Sequence, residues 1–200
     1  SHVDPEHFRQ QQDSIRVAAQ TKLSGLFHEA SASTFLPLLS KVAARFPAIV
    51  DDFLPARLLQ LWPSAGAADR VQMLELIARR GAALAGETYH ALSSRLLATV
   101  STLPDEVRVA ATRVLLSFAP NVDEDALVHL STKWLHALQQ PLADASTDAR
   151  VALYELAIEC HSRLSRLPGT ALPPALAEDL AVLLSRGFTD PCLYIRDLLL

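Results

Sequence analysis

The chain has 200 residues, 50% hydrophobic and 20% charged, with a formal net charge of −4. That length and apolar content support a folded core and exclude a disordered chain, while the acidic balance argues against a dedicated nucleic-acid binder, which needs many cations against phosphate. Residues 1–100 carry 10 Lys+Arg and 9 Asp+Glu, giving +1, and residues 101–200 carry 8 and 13, giving −5.

Only 6% of residues are aromatic and only 6 are glycine. No Asn-Gly or Asp-Gly pair stands between alternating apolar runs, so hairpin turns lack their material and an all-α chain is expected. Cys160 and Cys192 lie far apart in helical patterns and read as free thiols rather than a disulfide or metal pair. No apolar run approaches the length of a membrane span, no secretory leader or Asn-x-Ser/Thr sequon is seen, and an intracellular, cytoplasmic or nuclear chain is the expectation.

In chain order, residues 5–29 read as a helix with Ile15, Ala18, Ala19, Leu23 and Leu26 as its apolar set. Ser31–Phe46 is a second helix, with Pro37 near its first turn, and Pro47–Trp62 a third, which Pro55 should kink or divide. After the loop at Pro63–Gly66, Asp69–Arg80 is helical, with Gly81 near its C-terminal end. Glu87–Ser101 packs Tyr89, Leu92, Leu96, Leu97 and Val100 on one side. In Pro104–Phe118, a proline and two acids suit a helix start, and Val107, Ala110, Ala111, Val114, Leu115 and Phe118 form one apolar stripe. Asp123–Gln139, Thr147–Arg166, Pro173–Arg186 and a last helix from Asp190 complete the series; Gly187 is a plausible C-cap, and the sequence finishes in Leu198-Leu199-Leu200.

The pattern of Pro104–Phe118 recurs. Ile-Arg-Val-Ala-Ala around Arg16 aligns with Val-Arg-Val-Ala-Ala around Arg108, and a leucine lies seven residues after each arginine, Leu23 and Leu115. The marker arginines Arg16, Arg70, Arg108, Arg150 and Arg196 are separated by 54, 38, 42 and 46 positions. A period near 40 means repeated helix pairs, none of which buries its apolar face alone. The pattern Asp/Pro…Val-Arg-x-Ala-Ala-x-x-x-Leu resembles the second helix of the HEAT-repeat family, best at Asp105–Leu115 and Asp13–Leu23, less so at Asp148–Ala157 and Asp69–Ile77, and truncated at Asp190–Leu200. The resemblance implies an armadillo-like α-solenoid of about five antiparallel helix pairs over residues 3–200, a segment of a longer solenoid, with the marked helices on the concave side.

The arginines would stack as a row. One reading is a ladder for an acidic partner; the plainer one pairs each with an aspartate of its own or an adjacent repeat, for which Asp13, Asp69, Asp105, Asp148 and Asp190 are placed. His129, Lys133 and His136 share a helix face without a third metal ligand, and Cys160-His161 point apart on a helix. His28-Glu29 is one His-Glu pair where HEAT-type di-iron hydroxylases need several, and Ala32 breaks His-Glu-x-x-His. Trp62, at a helix end, reads as core or loop packing with a share of exposure, Trp134 as core.

No catalytic, cofactor or metal residues are assigned. The expected function is a protein–protein interaction scaffold that binds a protein or peptide through the exposed side of the marked helices, at Gln72, Glu75, Arg79, Thr112, Arg113, Tyr154, Glu155 and Arg163, with self-association through the C-terminal end. The alternatives are a tubulin-binding TOG-type array working through loops 62–68, 101–104, 140–147 and 187–189, and a HEAT-like DNA glycosylase. Loops poor in Lys and Arg weaken the first, and the acidic balance weakens the second.

Overall fold

The computed structural model describes residues 5–29, 32–47, 51, 54–139, 145–167 and 174–200, and every regular element among them is helical. The chain divides into two compact units, Ser1–Ala65 and Gly66–Leu200, where the sequence reading drew one domain.

In the first unit α1 spans Pro5–Glu29, α2 Ala32–Arg45 and α3 Leu54–Leu61, followed by a 3-10 turn at Trp62–Ser64. Pro55 is the second residue of α3, a first-turn position that tolerates proline; most of residues 47–53, across which it was expected to kink or divide a longer helix, lie outside the described residues. Leu23, Phe35, Leu36, Leu39, Leu58, Leu59 and Trp62 are buried. The apolar set expected of α1 fails on its outer members: Ile15 and Leu26 are exposed, as is Val17. The sequence motif is present, but the described part of α1 packs only through a narrow strip at Leu23.

The second unit holds α4 (Ala67–Ala78), α5 (Gly81–Leu96), a 3-10 turn (Val100–Thr102) and α6 (Asp105–Phe118). A further helix runs as α7 (Glu124–His129), a π turn (Leu130–Trp134) and α8 (Leu135–Gln139), and α9 (Thr147–Leu164), α10 (Pro174–Gly187) and α11 (Leu193–Leu198) follow. Starts follow local chemistry. The Asp123 carboxylate accepts from Ala126 N–H at 2.8 Å and the Ser146 hydroxyl from Ala149 N–H at 3.3 Å, each satisfying a first-turn donor that the helix cannot. Helix α5 begins six residues before the sequence reading placed it. Gly81 opens it rather than capping α4, because α5 crosses α6 so closely that a Cβ there would collide with Ser117.

Helix α6 is the centre of this unit and packs against α4, α5 and α9, while α9 also meets α10 and α11. Val107, Ala110, Ala111, Val114, Leu115 and Phe118 are all buried, as their spacing required. Alanines at 110 and 111 permit the close approach, since a larger side chain would hold the helices apart. Long-range hydrogen bonds tie the elements at a constant sequence distance. Tyr89 meets His129, Trp134 donates to Ser93, Arg150 to Asp190 and Tyr194 to Glu155, joining residues 40, 41, 40 and 39 apart.

Candidate functional site

Three marked helices of the second unit converge on an open groove of about 370 Å³. Val71 and Glu75 of α4, Asp105, Glu106, Val109, Ala110 and Arg113 of α6, and Ser146 and Asp148 at the start of α9 line it. The floor is apolar because Val109 and Ala110 of α6 are both buried there. The walls carry charge because one turn along each helix brings the solvent-facing positions to the same edge. Four carboxylates stand against the one guanidinium of Arg113.

The walls are braced from within. Asp105 holds an ion pair with Arg108, three positions on, and its Oδ2 also accepts from Ser146 N–H at 2.8 Å. One carboxylate thus ties the first turn of α6 to the cap of α9. Glu75 lies 4.0 Å from Arg79, four residues on, in an exposed pair that contributes little to stability.

The eight residues expected on the binding face separate into two groups. Gln72, Glu75, Arg79 and Arg113 are exposed, and Glu75 and Arg113 line the groove. Thr112 and Tyr154 are not on an exposed face: both are buried. The Thr112 hydroxyl donates to Arg108 O at 2.8 Å, as β-hydroxy side chains do within helices. Burial raises the Tyr154 pKa, and its ring lies against Gly187, where α9 and α10 meet. Glu155 is half-buried and accepts from the Tyr194 hydroxyl at 3.3 Å. Arg163, also half-buried, donates to Ala119 O and to Val122 O, the latter at 3.2 Å, so it caps the end of α6 instead of facing a partner. Helices α6 and α9 are covered on more sides than a simple two-sided pattern anticipates, which is why these four positions turn inward. Asp105, Glu106 and Asp148 also line the groove, where the sequence reading takes Asp105 and Glu106 as a helix start and Asp105 and Asp148 as arginine partners.

The marker arginines behave mostly as the plainer reading held. Arg16 lies 3.7 Å from Asp13, Arg108 pairs with Asp105, and Arg150 Nε donates to Asp190 Oδ2 at 2.9 Å. Arg196 differs: its Nε is buried and has no hydrogen-bond acceptor among the described residues. Arg70 makes interactions of its own.

The other singled-out residues are structural. Trp62 and Trp134 are both buried, and Trp134 Nε1–H donates to Ser93 at 2.9 Å. Cys160 and Cys192 are free thiols; burial raises the Cys160 pKa to about 12, so it stays protonated and unreactive at neutral pH. Lys133 lies within the π turn that runs between His129 and His136. His129 is half-buried with its Nδ1 2.6 Å from the Tyr89 hydroxyl, whereas Lys133 and His136 are exposed. The His28-Glu29 side chains and most of loop 140–147 lie outside the described residues. Among the described residues no helix is long and apolar enough to cross a membrane. No protein-family model, curated protein or solved structure matches the chain.

Proposed function

We propose that residues 66–200 form a HEAT-like helical repeat that acts as a non-catalytic scaffold, taking a segment of another protein into the groove along α4, α6 and the start of α9. The observation that carries this reading is the groove itself. It offers an apolar floor at Val109 and Ala110 between charged walls contributed by three successive marked helices. The constant spacing of about 40 residues between hydrogen-bonded partners supports the repeat reading, because stacked units of equal length place equivalent residues side by side. The walls set the partner's chemistry. Arg108 and Arg79 already pair with Asp105 and Glu75, so Glu106 and Asp148, set against Arg113, are the carboxylates with which the groove favours a peptide that carries Lys or Arg beside an apolar residue. The same excess of carboxylates repels phosphate backbones and acidic partners such as tubulin.

The test uses a photo-crosslinking amino acid at Glu106, with Glu178 on α10 as an exposed control position. A discrete adduct from Glu106, absent from Glu178 and lost in a Glu75→Lys, Asp148→Lys background, is the expected result. Equal adduct patterns from the two positions, or an adduct indifferent to charge reversal, would reject the groove as the binding face.

A further inference from the structure

Helix α6 brings a stripe of its own to the groove. Glu106, Val109, Ala110 and Arg113 are spaced i, i+3, i+4 and i+7 inside Asp105–Phe118, and all four line the groove. The order along the helix is acid, two apolar residues, base. At about 1.5 Å a residue, the two charged positions stand roughly 10 Å apart along the axis.

The charges at the two ends of this stripe are unspent. Asp105 is taken up by Arg108 and Ser146 N–H, and Glu75 by Arg79. Glu106, Asp148 and Arg113 are exposed and have no ion pair or side-chain hydrogen bond among the described residues. Asp148 belongs to the Glu106 end, because it lies in the first turn of α9, whose cap Ser146 is bonded to Asp105. The groove therefore changes sign along its length. Two carboxylates stand at one end and a guanidinium at the other, with a small apolar step between.

That spacing selects the conformation of what fits. Along a strand, residues on one side fall about 6.6 or 13 Å apart. Along a helix, positions i and i+7 share a face and stand roughly 10 Å apart, with i+3 and i+4 between them. We infer that the occupant is a helix of another protein laid along α6, carrying a carboxylate and a cation seven residues apart with small apolar residues between. Its cation faces Glu106 and Asp148, its carboxylate faces Arg113, and its apolar residues meet Val109 and Ala110. This rests on the groove being the binding face, and adds that the partner is helical and brings an acid as well as a base. Arg113 is then the residue that distinguishes such a helix from a merely basic peptide.

Fluorescence anisotropy with labelled, Ala-rich helical peptides of equal length tests it on the full chain. One peptide carries Glu and, seven residues later, Lys, the order that a helix's own dipole favours. A second has the same composition with the two charges five residues apart, which sets them on different faces. A third keeps the first spacing with Gln in place of Glu. The first should bind at least roughly fivefold tighter than either of the others. In Arg113→Gln, which alters an exposed side chain and should leave the circular dichroism spectrum unchanged, the first and third should bind alike. Equal binding of the first two peptides overturns the inference, as does a Glu-to-Gln penalty that persists in Arg113→Gln, or no binding by any of the three. A charge-sensitive adduct at Glu106 alongside any of these failures keeps the groove and removes the helix, whereas loss of that adduct removes the groove itself.

Discussion

The Arg150 guanidinium clasps the Asp190 carboxylate, Nε to Oδ2 at 2.9 Å and Nη2 to Oδ1 at 3.3 Å, joining the first turn of α9 to the turn ahead of α11. The side chains are only 17% and 6% exposed. Asp190 Oδ1 also accepts from Cys192 N–H at 2.8 Å, and Arg150 Nη1 donates to Ala145 O at 2.9 Å, so neither charge is left with a single contact.

Breaking that pair from one side strands a buried charge. Asp190→Ala should lower stability by about 3 kcal/mol, read as a drop in the urea midpoint. Replacing both partners, as Arg150→Met with Asp190→Ala, should cost less than the two single changes summed. Additive losses would mean the pair is not coupled.

At Gly81 the usual rule for helices should reverse. Gly→Ala inside a helix ordinarily stabilises by about 1 kcal/mol. A Cβ at Gly81, however, would stand 2.8 Å from Ser117 O and still nearer its side chain, so backbone must move. Gly81→Ala should therefore lower the thermal midpoint, while Gly86→Ala, where a Cβ meets open space, should leave it level or raise it.

The Tyr89–His129 contact makes stability depend on pH. Burial raises the Tyr89 pKa to about 12, so the phenol stays neutral, and its hydroxyl lies 2.6 Å from His129 Nδ1, the imidazole tautomer setting which of the two donates. Burial, with help from Lys133 and His90, lowers the His129 pKa below its ordinary 6.5. The unfolded chain therefore takes up this proton first, and stability falls as pH drops below 6.5 and levels once the folded pKa is passed. Urea midpoints measured over that range should fall more steeply for the wild type than for His129→Gln. Equal slopes would remove His129 from the account.

Thiol chemistry should distinguish the two cysteines. Cys192 is half-buried and should react with Ellman's reagent in the native state. Cys160, fully buried with its thiol held protonated, should react only when the protein unfolds. A Cys192→Ser variant that still reacts rapidly would show that the core opens around Cys160.

How much of this was legible in the sequence depends on the kind of information needed. Helix type and the core stripe of α6 follow from spacing alone, and Val107, Ala110 and Phe118 are buried where the period put them. Arginine pairing was readable in kind, since acids stood near each marker. The partner of Arg150 was not, because choosing Asp190 over Asp148 requires knowing which helices adjoin. The same limit explains Thr112, Tyr154 and Arg163, placed on an open face by a rule that treats a helix as having two sides. Helix α9 meets α6, α10 and α11 and has few directions left to water. In α1 the error ran the other way: Ile15 and Val17 carry the motif, yet both are largely exposed. The groove's carboxylates were in view as helix-start signals. Their convergence depends on how far successive helices are offset, which no single-helix pattern encodes.

The reach of Arg163 to Ala119 O and Val122 O bears on how the second unit comes apart. The last carbonyls of a helix have no partner within it, and that of Ala119, the residue just past the end of α6, is met by a side chain from α9, forty-four residues on. Fraying of α6 from that end therefore has to break this tie to α9. The two helices should exchange their amide hydrogens for deuterium with a common opening energy, as one cooperative block. Arg163→Met should split that block, letting the amides near Phe118 exchange early while those in the middle of α9 keep their protection.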